Sequence, residues 1–152
     1  MSYMHHNFNP DKHNIYYPKY PDKYIGEYAI CRSSWENDLY RWCDFNPKIK
    51  KWTSEGLAIP YFDPISKKQR RYFPDILMIV ETDNGDQTFL VEIKPSKETK
   101  QPRNSARKNK LTLIKESQTF ITNKAKWIAA QNLCKNKGWI FKIITEKELY
   151  GK

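Results

Sequence analysis

Ile76-Leu77-Met78-Ile79-Val80, then Thr82-Asp83-Asn84-Gly85-Asp86, then Phe89-Leu90-Val91-Glu92-Ile93, is the stretch from which the rest of the chain can be laid out. Asn-Gly between two β-rich runs favours a two-residue type I′ connection, so the spacing predicts a β-hairpin with Asn84 and Gly85 at its tip. On that count Asp83 pairs with Asp86, Leu77 stands opposite Glu92, and Asp75 opposite Lys94. Both runs are apolar at nearly every position. Strands of that kind are covered on two faces and lie centrally in a sheet, with helices supplying the cover. Directly paired residues project to one face, so Asp75, Glu92 and Lys94 gather at one end of that face, beside a core.

Upstream, Ser33-Ser34-Trp35-Glu36 matches a capping box, and Trp35, Leu39, Trp42 and Cys43 recur at helical spacing; an amphipathic helix therefore starts here and ends before Pro47. Short β-like runs follow at about 50–53 and 57–62, then a turn at Asp63-Pro64 and a third run beginning near Arg70, which together suggest a meander. Downstream of Pro95 the chain turns basic. Lys94, Lys97, Lys100, Arg103, Arg107, Lys108, Lys110 and Lys115 face only Glu98, in what reads as a loop leading into a helix. That helix has Thr122 or Asn123 as its cap, Ala125, Ile128, Ala129, Leu133 and Cys134 at periodic positions, and Gly138 just past its end. Residues 139–144 read as a strand, and Thr145-Glu146-Lys147-Glu148 as the cap of a short last helix. Residues 1–24, rich in Tyr, Pro, Asn, His and Lys, have no period and read as an arm, leaving 25–152 as the domain proper. Its adjacent His5 and His6 lack a third ligand at useful spacing and read as solvated.

The 152 residues suffice for one core and one domain. Their 27 Lys+Arg against 17 Asp+Glu leave a formal +10, a balance that favours polyanions, nucleic acid first among them, although a solubilising surface has the same composition. Cys31, Cys43 and Cys134 are odd in number and form no C-x-x-C pair, which argues against a disulfide framework or a zinc knuckle and fits a reducing compartment. No apolar stretch approaches the roughly 18 residues a bilayer requires, and the polar start is unlike a signal peptide. These features lead us to expect a soluble chain made in the cytoplasm, with no membrane partner.

Three charges beside a core admit two readings. Lys94 can simply neutralise Asp75 or Glu92 where the strands leave the core. Alternatively, the two carboxylates hold Mg²⁺ through oxygen while the ammonium positions or deprotonates an attacking water, or stabilises a pentavalent phosphate. Phosphodiester hydrolysis needs those parts. Glu36, in the first turn of its helix, can close the capping box with Ser33 or aim at the same metal.

With Ser34-Trp35-Glu36, Trp52-x-Ser54-Glu55, Ile59-Pro60-Tyr61, Arg70-Arg71-Tyr72-x-Pro74-Asp75, Val91-Glu92-Ile93-Lys94-Pro95 and Lys126-Trp127 in this order, the chain resembles the head completion nucleases of contractile-tailed bacteriophages, within the PD-(D/E)xK superfamily. More distantly it resembles the nuclease subunit of TnsA-type transposases. The resemblance runs from about residue 33 to 149. It implies an α/β, restriction-endonuclease-like fold, a mixed sheet flanked by helices. By motif position it makes Glu36, Asp75, Glu92 and Lys94 catalytic, with Glu36, Asp75 and Glu92 holding Mg²⁺, for which Mn²⁺ can substitute. It further implies an endonuclease, with exonuclease activity as an additional possibility, acting on packaged double-stranded DNA before heads join tails. The partners would be phage capsid, portal or neck proteins, and the location the cytoplasm of the infected host and then the virion. Arg70, Arg71, Lys97, Lys100, Arg103, Arg107, Lys108 and Lys110 are the expected phosphate contacts, whereas Tyr61 and Trp127 read as core aromatics. The competing readings are a transposase, restriction or junction-resolving enzyme on the same core, and a DNA-binding structural protein without catalysis.

Overall fold

The computed structural model describes residues 14–151; the N-terminal pair His5-His6 lies outside the described residues. Strands β1 (Asn14–Tyr16) and β2 (Ala29–Cys31) form a small antiparallel pair, followed by helix α1 (Ser34–Phe45) and strands β3 (Ile49–Ser54), β4 (Ile59–Asp63), β5 (Lys68–Tyr72), β6 (Ile76–Thr82) and β7 (Gly85–Ile93). A 3-10 turn at Ser96–Thr99 leads to helix α2 (Lys110–Lys137), strand β8 (Ile140–Ile144) and helix α3 (Glu146–Tyr150). The central sheet has the order β3-β6-β7-β8, antiparallel except for the parallel β7–β8 pair, so it is mixed. The expected meander does not form. Glu55, at φ 52°, turns the chain out of the sheet after β3, and β4 and β5 pair only with each other.

Alternation along β6 and β7 separates two cores. On one face Ile76, Met78 and Val91 pack with Leu39, Tyr40 and Cys43 of α1 and with Trp52. On the other, Leu90 packs with Ile59, Tyr61 and Tyr72 of the β4–β5 hairpin and with Trp127, Ala130 and Cys134 of α2. Burial of this much apolar surface at about 25 cal/mol per Å² is the main force holding the helices on the sheet. Trp52 is fully buried among the rings of Tyr16, Tyr24 and Tyr40, with centroids 6.1, 4.6 and 5.6 Å away. Residues 14–24 are tied to α1 by buried Asp44, whose carboxylate accepts from Tyr16 Oη (2.7 Å), Lys19 N (2.6 Å) and Tyr20 N (3.1 Å).

Several local expectations are corrected. The hairpin pairs Thr82 with Gly85 and Glu81 with Asp86, so its loop is Asp83-Asn84, two residues off the predicted register. Only Gly85 of the tip has positive φ (106°), whereas a type I′ turn needs two such residues. A shift of two leaves every side chain on its predicted face. Helix α1 is rotated from the expected stripe: it buries Leu39, Tyr40, Cys43 and Asp44, while Trp42 is 50% exposed. Helix α2 begins at Lys110, capped by Asn109 Oδ1 accepting from Thr112 N at 2.7 Å; Asn123 is buried within it, and Thr122 Oγ1 bonds Asp63. At 28 residues α2 is about 42 Å long, far longer than the five-residue β8 it packs on, and Leu111, Ile114 and Ile121 in its first half stay exposed. Gly138 (φ 73°) ends α2, and Thr145 and Glu148 form the expected capping box of α3. Tyr61 and Trp127 are buried core aromatics, as expected. Cys31, Cys43 and Cys134 are buried and free. No helix among the described residues is long and apolar enough to cross a membrane.

Candidate active site

Asp75 immediately precedes β6, and Glu92 and Lys94 lie at the end of β7. The observed register continues by one residue to set Asp75 opposite Glu92, not opposite Lys94. Asp75 Oδ2 accepts the Ile93 N–H at 2.7 Å, which fixes one carboxylate against the other's strand. Glu92 is 7% exposed, and its Oε2 accepts from Tyr72 Oη at 2.6 Å. Its Oε1 lies 3.8 Å from Lys94 Nζ. Lys94 is set by its own backbone, whose N–H donates to Ile144 O at 3.0 Å. Pro95 then ends the strand, and Ser96 is held by Glu146 of α3 through both its N–H (2.9 Å) and its hydroxyl.

Crowding governs the electrostatics. Burial, followed by the charge of Glu92, pushes the Asp75 carboxyl well above the usual range, with Glu36 adding to the rise and Lys94 opposing it. Burial also raises Glu92, while the Tyr72 bond and the charges of Lys94 and Lys126 oppose that rise. Lys126 of α2 is lowered by burial and by Lys94.

Glu36 does not close the expected capping box. Its N–H donates to Ser33 Oγ (3.1 Å), but its carboxylate accepts from Arg32 N (2.8 Å), one residue before the cap. Its charge adds to the rise of the Asp75 and Glu55 carboxyls. Among the described residues no three His, Cys, Asp or Glu side chains close around one point as a ready metal cluster.

Glu55 was not singled out from the sequence. Its N–H donates to Asp75 O at 3.2 Å, so the row Glu55, Asp75, Glu92 crosses the ends of three neighbouring strands. Its side chain is only 8% exposed and pairs with Arg32, yet Oε2 is buried without a partner. The usable signal was Trp52-x-Ser54-Glu55 itself, a carboxylate at the close of a short β-like run.

The residues expected to meet phosphate differ in their surroundings. Arg71, Lys97, Lys100, Arg103, Arg107 and Lys110 are exposed. Arg70 is drawn to Asp63 (3.5 Å), Arg71 lies over Phe73, and Lys108 is engaged by Glu116 and by Arg103 O, both at 2.7 Å.

Residues 46–146, which span the sheet from β3 to β8, match the family described as TnsA-like endonuclease N terminal. Glu55, Asp75, Glu92, Lys94 and Lys126 fall inside that match, and Glu36 lies before it. The chain is 42% identical over 137 residues to the head completion nuclease of Enterobacteria phage T4, an overlap of 87% of this chain and 89% of that protein. With its mixed sheet, helices on both faces and carboxylates at the strand ends, the chain belongs to the TnsA-like endonuclease family, with a restriction-endonuclease-like fold, and is a relative of the phage head completion nucleases.

Proposed function

We propose that this chain is a metal-dependent DNA nuclease that hydrolyses phosphodiester bonds during phage head completion. The observation that carries the reading is the pairing of Asp75 and Glu92 on adjacent strands with Lys94 3.8 Å from Glu92. A structural ion pair in a core closes to about 2.7–2.9 Å. This one stays open, and burial raises both carboxyls, with the charge of Glu92 adding to the rise at Asp75, so the pair is short of solvation and of a close counter-charge.

A hard divalent cation fits that deficit. Mg²⁺ commonly uses one or two carboxylates and completes its shell with water and substrate phosphate, so Asp75 and Glu92 suffice as protein ligands without a closed three-residue cluster. The unpartnered Glu55 Oε2 at the same end of the sheet, and Glu36, whose charge bears on it, add oxygen donors. Mg²⁺, or Mn²⁺ in its place, would supply Lewis-acid polarisation of the phosphate and of a water. The chain's own residues do the rest. Tyr72 holds Glu92 in place and favours its ionised form, Ile93 N–H orients Asp75, and Lys94 directs a water or steadies charge on the phosphate oxygens.

Double-stranded DNA would be held by Arg70, Arg71, Lys97, Lys100, Arg103, Arg107, Lys108 and Lys110 through phosphates, which gives affinity without sequence preference. By the name of the T4 relative, the stage is head completion. The reaction is endonucleolytic, with trimming of ends as an added capacity; capsid, portal or neck proteins are the partners, and the virion is the destination.

The test is cleavage of supercoiled and linear DNA with Mg²⁺, with EDTA, and by Lys94→Ala and Asp75→Ala proteins whose folding is checked by circular dichroism. The expected outcome is nicking that needs Mg²⁺ and both residues. Full activity in EDTA, or in either variant, would remove the proposal.

A further inference from the structure

Lys126 is a second lysine at the site, supplied by α2 and not by the sheet. Its Nζ lies 5.8 Å from the centroid of the Tyr72 ring and 6.0 Å from that of Tyr61, and the Tyr72 hydroxyl is bonded to Glu92. No carboxylate ion-pairs with it among the described residues. The two carboxylates whose charge reaches it are already engaged. Asp63 accepts from Ile65 N, Ser66 Oγ and Thr122 Oγ1 and faces Arg70; Glu92 accepts from Tyr72 and faces Lys94.

An ammonium that is part-buried, stripped of some of its water and left without an anion is costly, and two ring faces at about 6 Å return only part of that cost. Lys94 adds repulsion. Lys94 lies against Glu92 and Lys126 over the tyrosine that bonds it, so two lysines from different elements act on one buried glutamate that neither ion-pairs closely. A backbone phosphate supplies an anion, with non-bridging oxygens that an ammonium can meet as a point charge.

We propose that Lys126 binds a non-bridging oxygen of a DNA phosphate at the cleavage site, beside the Tyr72 ring whose hydroxyl holds Glu92. The inference rests on the reading of Glu92 as the catalytic carboxylate. Its contribution differs from that of the exposed basic run, because Tyr61 and Tyr72 fix the ammonium before DNA arrives.

The experiment measures binding of a fluorescently labelled duplex by anisotropy in EDTA, without turnover, across a NaCl series. The proteins are wild type, Lys126→Met, which keeps the apolar stem over the rings, and Lys126→Arg, which keeps the charge. Each phosphate contact contributes about 0.9 to the slope of log K against log salt. Lys126→Met is expected to lower affinity roughly tenfold and the slope by about 0.9, with Lys126→Arg restoring the slope. An unchanged slope and affinity in Lys126→Met would overturn the proposal. If Lys126→Met does not fold, acetylation of wild-type lysines read by mass spectrometry decides the matter. Duplex DNA should shield Lys126, and equal modification with and without DNA would overturn it. Wild-type cleavage in Mg²⁺ is measured alongside: loss of the slope in Lys126→Met without any wild-type cleavage would sink the nuclease reading and keep the phosphate site, whereas cleavage with an unchanged slope would do the reverse.

Discussion

Tyr72→Phe isolates one hydrogen bond at the site. The hydroxyl donates to Glu92 Oε2 at 2.6 Å in a place where both residues are buried, and phenylalanine keeps the ring that lies beneath Lys126. A hydrogen bond to a charged acceptor contributes about 1.5–3 kcal/mol. The bond favours the ionised carboxylate and opposes the rise that burial imposes, so its loss raises Glu92's proton affinity further. At about 1.36 kcal/mol per pH unit, the acidic limb of the nicking rate should move up by about 1–2 units. At a pH on that limb the variant should be about ten- to a hundredfold slower, and near wild type above it. The assay is the initial rate of plasmid nicking in saturating Mg²⁺ at half-unit steps of pH. A Tyr72→Phe profile that superimposes on wild type, or moves towards acid, would refute the reasoning.

Asp75→Asn tests the crowding itself. Because the folded-state carboxyl is raised, the folded chain binds the proton more tightly than the unfolded one; that stabilisation is complete below the usual carboxylate range and is lost as pH rises through the raised titration. The amide removes this loss, so at pH 7 without metal the variant should be more stable by about 0.5–2 kcal/mol, with no gain in acid; urea midpoints that fall at pH 7 would contradict this. Mg²⁺ should raise the wild-type Tm and leave that of Asp75→Asn nearly unchanged. Asp44→Ala deletes the acceptor shared by Tyr16, Lys19 and Tyr20, and should cost at least about 2 kcal/mol while speeding amide exchange at residues 14–20 ahead of that in β6 and β7. Gly85→Ala meets no atom within 4 Å but takes on a φ of 106°, so it should cost about 1 kcal/mol by urea melt and leave nicking intact.

The sequence was most legible where one physical demand acts alone. The two apolar runs around Asp83-Asn84 had to pair, and the parity of the pleat put Asp75, Glu92 and Lys94 on one face even though the turn geometry, and with it the register, was misjudged by two residues. The strand read at Trp139 through Ile144, found at Ile140–Ile144, and the capping of α3 followed from the glycine and the cap residues around them. What stayed hidden depended on contacts distant in the chain. The first half of α2 overhangs the sheet and has no core to impose a period, so its basic residues imitate a loop. Glu55 sits in a short segment whose meaning comes from Asp75, and the charge of Lys126 gains significance only once β5 brings Tyr72 beneath it. The rotation of α1 was missed because buried Asp44 and Tyr40 count as polar on paper, while Trp42 counts as core.

The parallel partnership of β7 with β8 also fixes when the site can exist. Phe89 through Ile93 wait for Ile140 through Ile144, and a parallel pair of this kind forms only after the intervening crossover is in place. While the chain is being translated, β7 can close its hairpin with β6 but leaves its other edge bare; Lys94 N–H has no Ile144 carbonyl, and Ser96 has no Glu146. Long-range pairings are the slow step of folding, so the carboxylates acquire their frame last. Residues 140–146 therefore complete the frame of the carboxylate row, and a chain ending before them would carry Asp75, Glu92 and Lys94 without the contacts that hold Lys94 and Ser96.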